Sequence, residues 1–168
     1  DLDTGQVLFS RDKLDEKNIA TLYNIADVTV NISDAEGFGL SCLESLACET
    51  PVVGVRTGGL QDQLTDGKDI FGVMVEPSSS EIVGSQLVPY VHEDRIAKED
   101  FINGLYDMYF TGKSGRDKIG KKARKHVMKN FNFKDFNESW INLMLEIHEK
   151  HGSWENRKLY RNWRNESL

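Results

Sequence analysis

Three short β-branched runs, DVTVNIS (Asp27 to Ser33), PVVGVR (Pro51 to Arg56) and FGVMVEP (Phe71 to Pro77), are separated by segments of helical periodicity and joined by brief glycine-containing turns. Few architectures accept that alternation. Strand, helix and strand on short connections must run as parallel neighbours in one sheet, with helices covering both faces. An earlier run, GQVLFS (Gly5 to Ser10), reads as a further strand. Between it and Asp27, Ile19, Leu22, Tyr23, Ile25 and Ala26 fall at helical spacing behind an N-cap at Asp15. Gly39 or Leu40 opens a second helix through Leu43, Leu46 and Ala47, and a short third one follows Thr57-Gly58-Gly59. The fold class predicted is α/β, a doubly wound parallel sheet followed by C-terminal helices over about 98–110, 114–130 and 134–150. The intervening SSSEIVGSQLVPYVHEDR (Ser78 to Arg95) has no clean period and is expected to be a long ordered loop.

A chain of 168 residues with 39% hydrophobic content supports one self-sufficient core. We expect that core within residues 1–150. Residues 151–168 form a tail whose Trp154, Leu159, Tyr160 and Trp163 should dock on another domain or partner. The net charge of −6 argues against nucleic acid as a partner, which usually needs a basic surplus. The local basic run KIGKKARKHVMKN at helical spacing reads as a solvated face. Cys42 and Cys48 match neither a CxxC pair nor a zinc knuckle, and read as reduced, buried thiols. His92, His126, His148 and His151 lack metal-ligand spacing and are given no catalytic role. With no signal segment and no membrane-spanning run, the expected location is cytoplasmic, with peripheral association at a membrane surface as the variant.

The chemistry concentrates in SDAEGFGLSCLES (Ser33 to Ser45). Glu36 precedes two turn glycines, Gly37 and Gly39, at the carboxyl end of a parallel strand, whereas Glu44 sits about a turn inside the next helix. Ligands of open α/β sheets bind beyond the strand carboxyl ends, where a helix N-terminus offers unpaired N–H groups to phosphate. The glycines permit close backbone approach. Glu44 can accept two hydrogen bonds from a vicinal diol such as ribose, and Glu36 would repel a second phosphate but suits sugar hydroxyls. Gly58 and Gly59 form a turn at the next strand's end and should border the same crevice.

EGFGLSCLE resembles the E-x7-E signature of the retaining glycosyltransferases of family 4 (glycosyl transferases group 1). The surroundings agree: LYNIADVTVNIS, ESLACETPVVGVRTGGLQD and DGKDIFGVMVEP resemble the family's flanking helix, strands and Gly-Gly turn. The resemblance is close over Val7 to Pro77. It implies the nucleotide-sugar-binding, Rossmann-like half of a GT-B fold, with Glu44 on the ribose, Glu36 on the donor sugar as the catalytic carboxylate, and Gly37, Phe38, Gly39 and Leu40 lining sugar and diphosphate. It implies a nucleoside-diphosphate sugar as substrate, no cofactor and no metal, with base contacts from backbone near Phe9 to Arg11. The acceptor is a sugar, lipid or protein that the residues do not specify. The family's Gly-Arg and Lys, and its N-terminal acceptor domain, are expected before residue 1, so that the chain would be a fragment inactive by itself. Glu49 stands where the family usually has glycine, and Asp62 where it usually has glutamate. Two other readings stay open: a non-catalytic sugar-nucleotide-binding or scaffold module, and a degraded dinucleotide fingerprint, against which Cys42 holds the third glycine position.

Overall fold

The computed structural model describes residues 7–10, 13–153, 155, 156 and 158. They fall in two compact units, Asp1–Met128 and Lys129–Leu168. The first opens with α1 (Glu16–Ile25), whose cap Asp15 accepts a 2.8 Å hydrogen bond from the Asn18 amide. Then come β1 (Thr29–Asn31), α2 (Leu40–Ala47), β2 (Val52–Val55), α3 (Leu60–Leu64) and β3 (Gly72–Val75). The three strands pair in parallel in chain order, β1-β2-β3, with Val52 opposite both Thr29 and Gly72.

Alternate side chains of a strand point to opposite faces, and both faces of this sheet are covered. On one, Val53 and Val75 bury with Met108 of α4 (Lys98–Phe110). A Cβ on Gly104 would lie 3.1 Å from Val73 and 3.2 Å from Val75, so the glycine lets α4 lie close against the sheet. On the other face, Leu64 of α3 fills the space over Gly54 and Gly72. All four residues of β2 are buried, as expected of a central parallel strand. Each such valine contributes about 1.5–3 kcal/mol of burial free energy.

Two expectations need correction. Val7–Ser10 is not a strand: these residues carry no ladder, and Leu8 and Phe9 are exposed. A strand without a neighbour cannot satisfy its own backbone groups, and among the described residues β1 pairs with β2 alone. Gly5, Gln6 and Arg11 lie outside the described residues. The second correction is the segment read as a loop. It forms an antiparallel hairpin of β4 (Ser79–Val83) and β5 (Val91–Arg95), in register from Ser79–Arg95 to Val83–Val91. Its serines hid it, because they are poor strand formers that here lie on an exposed ladder.

The unit continues through α5 (Gly112–Asn130), whose Ala123, His126 and Val127 are buried. His126 is a core residue, stacked on Phe71 with ring centroids 4.5 Å apart, and its Nε2 lies 2.9 Å from the Asp62 carbonyl. The second unit is dominated by α6 (Phe133–His151), capped by Asn132, which accepts from the Asp135 amide, and closed at Gly152. Within it, Phe136 and Trp140 pack edge to face. Of the expected aromatic tail, Trp154, Leu159, Tyr160 and Trp163 lie outside the described residues. No helix among the described residues is long and apolar enough to cross a membrane.

Candidate active site

The segment after β1 turns at Ser33 and returns into α2 through Glu36-Gly37-Phe38-Gly39. Glu36 is half-buried because its own loop engages it: Oε1 accepts from the Gly39 amide at 3.1 Å, and Oε2 lies 3.5 Å from the Ser33 hydroxyl. The Ser33 hydroxyl in turn donates to Asn31 Oδ1 at 2.7 Å. One carboxylate thereby fixes the turn that carries it into the helix. Gly39 has φ 84, in the left-handed region that glycine favours.

The turn after β2 meets this loop backbone to backbone. The Gly59 amide donates to the Gly37 carbonyl at 3.2 Å. A Cβ on Gly58 would fall 1.6 Å from the Glu36 carbonyl oxygen, and one on Gly59 would fall 2.7 Å from the carbonyls of Gly37 and Phe38. Gln63 of α3, wholly buried, donates its amide to the Phe38 carbonyl. The structure therefore brings together Glu36, Gly37, Phe38, Gly39, Gly58 and Gly59 at the carboxyl ends of β1 and β2. Phe38 and Leu40 are exposed, and Gly37 has open space where a Cβ would stand.

Glu44 lies one turn along α2 from Leu40, on the same exposed side. Its Oε2 accepts from the Tyr23 hydroxyl of α1 at 3.2 Å. Burial, then the adjacent Glu44 carboxylate, pushes the Tyr23 hydroxyl up to about 12, so it stays a donor at neutral pH. Burial first, then Glu36, likewise pushes the Cys42 thiol up to about 12, leaving it inert. Cys48, expected to be buried, is only half-buried. Among the described residues no group of His, Cys, Asp or Glu is arranged to hold a metal ion.

Sequence reasoning did not find the residues that fasten the site. Tyr23 was visible only as a member of an apolar helical face, and Gln63 carried no signal. The hairpin also reaches the rim. The Asp94 amide donates to the Asp34 carbonyl at 2.7 Å, the Thr57 hydroxyl donates to Asp94 Oδ2 at 2.7 Å, and Arg95 pairs with Asp34. A pocket of about 660 Å³ lined by Val28, Leu105, Tyr106 and Met108 lies elsewhere, at the amino end of β1.

An open parallel sheet with a glycine-lined crevice at its carboxyl edge defines a doubly wound α/β domain, the architecture of one half of a GT-B fold. Its solved neighbours share that architecture. Sucrose-phosphate synthase from Thermosynechococcus elongatus superposes with a TM-score of 0.62 at 23% identity, over 82% of this chain and 29% of that one. Anabaena HepE in complex with UDP-glucose superposes with a TM-score of 0.56 at 18% identity, over 77% and 30%. Residues 5–106 match the family described as Glycosyl transferases group 1, and the chain belongs to that family. Among curated relatives, D-inositol 3-phosphate glycosyltransferase of Streptosporangium roseum is 42% identical over 77 residues, 46% of this chain and 17% of that protein. The same-named protein of Geodermatophilus obscurus is 48% identical over 58 residues, 34% and 12%. The matched segments thus span under a fifth of these curated relatives.

Proposed function

We propose that this chain is the donor-binding domain of a retaining, family 4 glycosyltransferase that takes a sugar from a nucleoside-diphosphate sugar. The observation that carries the reading is the crevice built by Glu36-Gly37-Phe38-Gly39 against Gly58-Gly59, with Glu44 one helical turn beyond. One structural neighbour, Anabaena HepE, holds UDP-glucose, which supports a nucleotide-sugar guest.

In this reading Glu44, steadied by Tyr23, accepts both ribose hydroxyls. The open face of Gly37 and the first amides of α2 approach the diphosphate, where the helix dipole favours negative charge. Glu36 meets the donor sugar and stabilises positive charge developing at the anomeric carbon as the diphosphate departs. Amides and cationic side chains stabilise that leaving group, so the reaction is proposed to proceed without a metal. Acceptor binding is assigned in this reading to a second domain and not to this one.

Calorimetric titration with UDP, GDP and ADP tests the donor reading. One nucleotide should bind, and Glu44→Ala should weaken it roughly 10- to 150-fold, the loss of a charged hydrogen-bonding partner worth about 1.5–3 kcal/mol. An unchanged dissociation constant removes Glu44 from the site. Glu36→Gln should leave nucleotide affinity nearly intact and slow transfer in the complete enzyme, because its interaction is realised chiefly in the transition state. Equal losses in both would put Glu36 at the nucleotide.

A further inference from the structure

The hairpin β4–β5 lies far along the chain from the E-x7-E segment, yet it is fastened to both lips of the crevice. Its Asp94 uses two groups in two directions. The backbone amide reaches the Asp34 carbonyl, two residues before Glu36, and the carboxylate accepts from the buried Thr57 hydroxyl, one residue before Gly58. Gly58 in turn abuts the Glu36 carbonyl. These contacts close a ring from Asp34 through Asp94, Thr57 and Gly58 to Glu36 and back along the chain to Asp34. In such a ring neither lip can shift without breaking a hydrogen bond.

Arg95 reinforces the ring electrostatically. Its guanidinium pairs with Asp34 on the lip, with Glu81 of β4 at 3.4 Å and with Glu93 of β5 at 2.7 Å. One cation thereby gathers three carboxylates that would otherwise repel one another and push the hairpin from the loop. Arginine suits the task because its planar fork can bond several oxygens at once, which a lysine ammonium does less well.

We propose that Asp94 and Arg95 are positioning residues that lock the loop bearing Glu36 to the Gly58-Gly59 turn, making the hairpin a structural part of the crevice. The effect on a reacting sugar rests on the proposed donor site; the locking itself does not. Small displacements of a charge-stabilising group are costly to catalysis, so this tether would set where the Glu36 carboxylate stands.

The experiment is amide hydrogen exchange on the unliganded chain, comparing wild type with D94A/R95A and with D94N. Exchange at Gly39 and Gly59, whose amides span the loop and the joint, should rise about tenfold or more in D94A/R95A, while Val53 and Val55 in the sheet keep their protection. D94N retains an oxygen for the Thr57 hydroxyl and should behave as wild type. Unchanged exchange at Gly39 and Gly59 overturns the proposal. So does equal loosening of Val53 and Val55, which would make the hairpin a general stabiliser. Titration with UDP and UDP-glucose runs in parallel: if wild type binds neither, and neither GDP nor ADP, the donor reading fails while the exchange data still decide the tether.

Discussion

Glu49 is held at φ 64, a left-handed conformation in which a side chain costs roughly 1–2 kcal/mol. The sequence shows the anomaly as a glutamate where the resemblance leads one to expect glycine, and the structure supplies its cause. Its carbonyl is also crowded by α5, since a Cβ on Gly120 would fall 1.8 Å from it. Glu49→Gly should therefore raise the unfolding free energy by about 0.5–1 kcal/mol, after the added freedom of glycine in the unfolded chain is offset. The ion pair lost with Arg124, at 4.0 Å and half exposed, should matter little. A urea midpoint equal to or below wild type would contradict this. Gly58→Ala should act in the opposite direction. It combines φ 46 with a clash against the Glu36 carbonyl, and should destabilise by at least about 2 kcal/mol in the same assay. That Glu36, Gly37, Gly39, Gly58 and Gly59 would meet at the strand ends was legible, because residue type and local spacing place both turns there. Tyr23 and Gln63 were not, because their meaning lies in partners distant along the chain.

Among the elements, α4 was legible to the residue, since Lys98–Phe110 has both periodicity and a sharp end. The hairpin was not, because its pairing is cross-strand and its sequence alternates weakly. The early strand failed for a related reason: a short apolar run specifies a willingness to be buried but not a neighbour. Gly104 shows how an element's place can override its propensity. A mid-helix glycine costs about 1 kcal/mol relative to alanine, yet here it sets the distance between α4 and the sheet. Gly104→Leu should improve helix propensity and still lower stability by about 1–3 kcal/mol, through overpacking against Val53, Val73 and Val75. The corresponding fall in melting temperature is roughly 2–10 °C. A rise would show that the helix can step back without penalty.

For the molecule as a whole, the first unit's stability should fall at alkaline pH. Cys42 has an ordinary value of 9.0 and is raised to about 12 in the folded state by burial, with Glu36 adding to it. The unfolded chain thus loses this proton first. The stabilising share is complete below about pH 9 and is lost as pH rises toward 12. Urea midpoints should decline from about pH 8.5 to about pH 10.5, and less steeply in Cys42→Ala; parallel slopes would exclude the thiol as a source. The strand order β1-β2-β3 also fixes a sequence in time. During synthesis each later strand finds its neighbour already made, so the sheet can assemble strand by strand from β1. The tether from Asp94 and Arg95 to Asp34 is then translated after every strand of that sheet. A nascent chain stalled before the hairpin should therefore hold paired strands but neither the tether nor α4, which covers one face of the sheet, so crevice and core are finished together, late in the domain's birth.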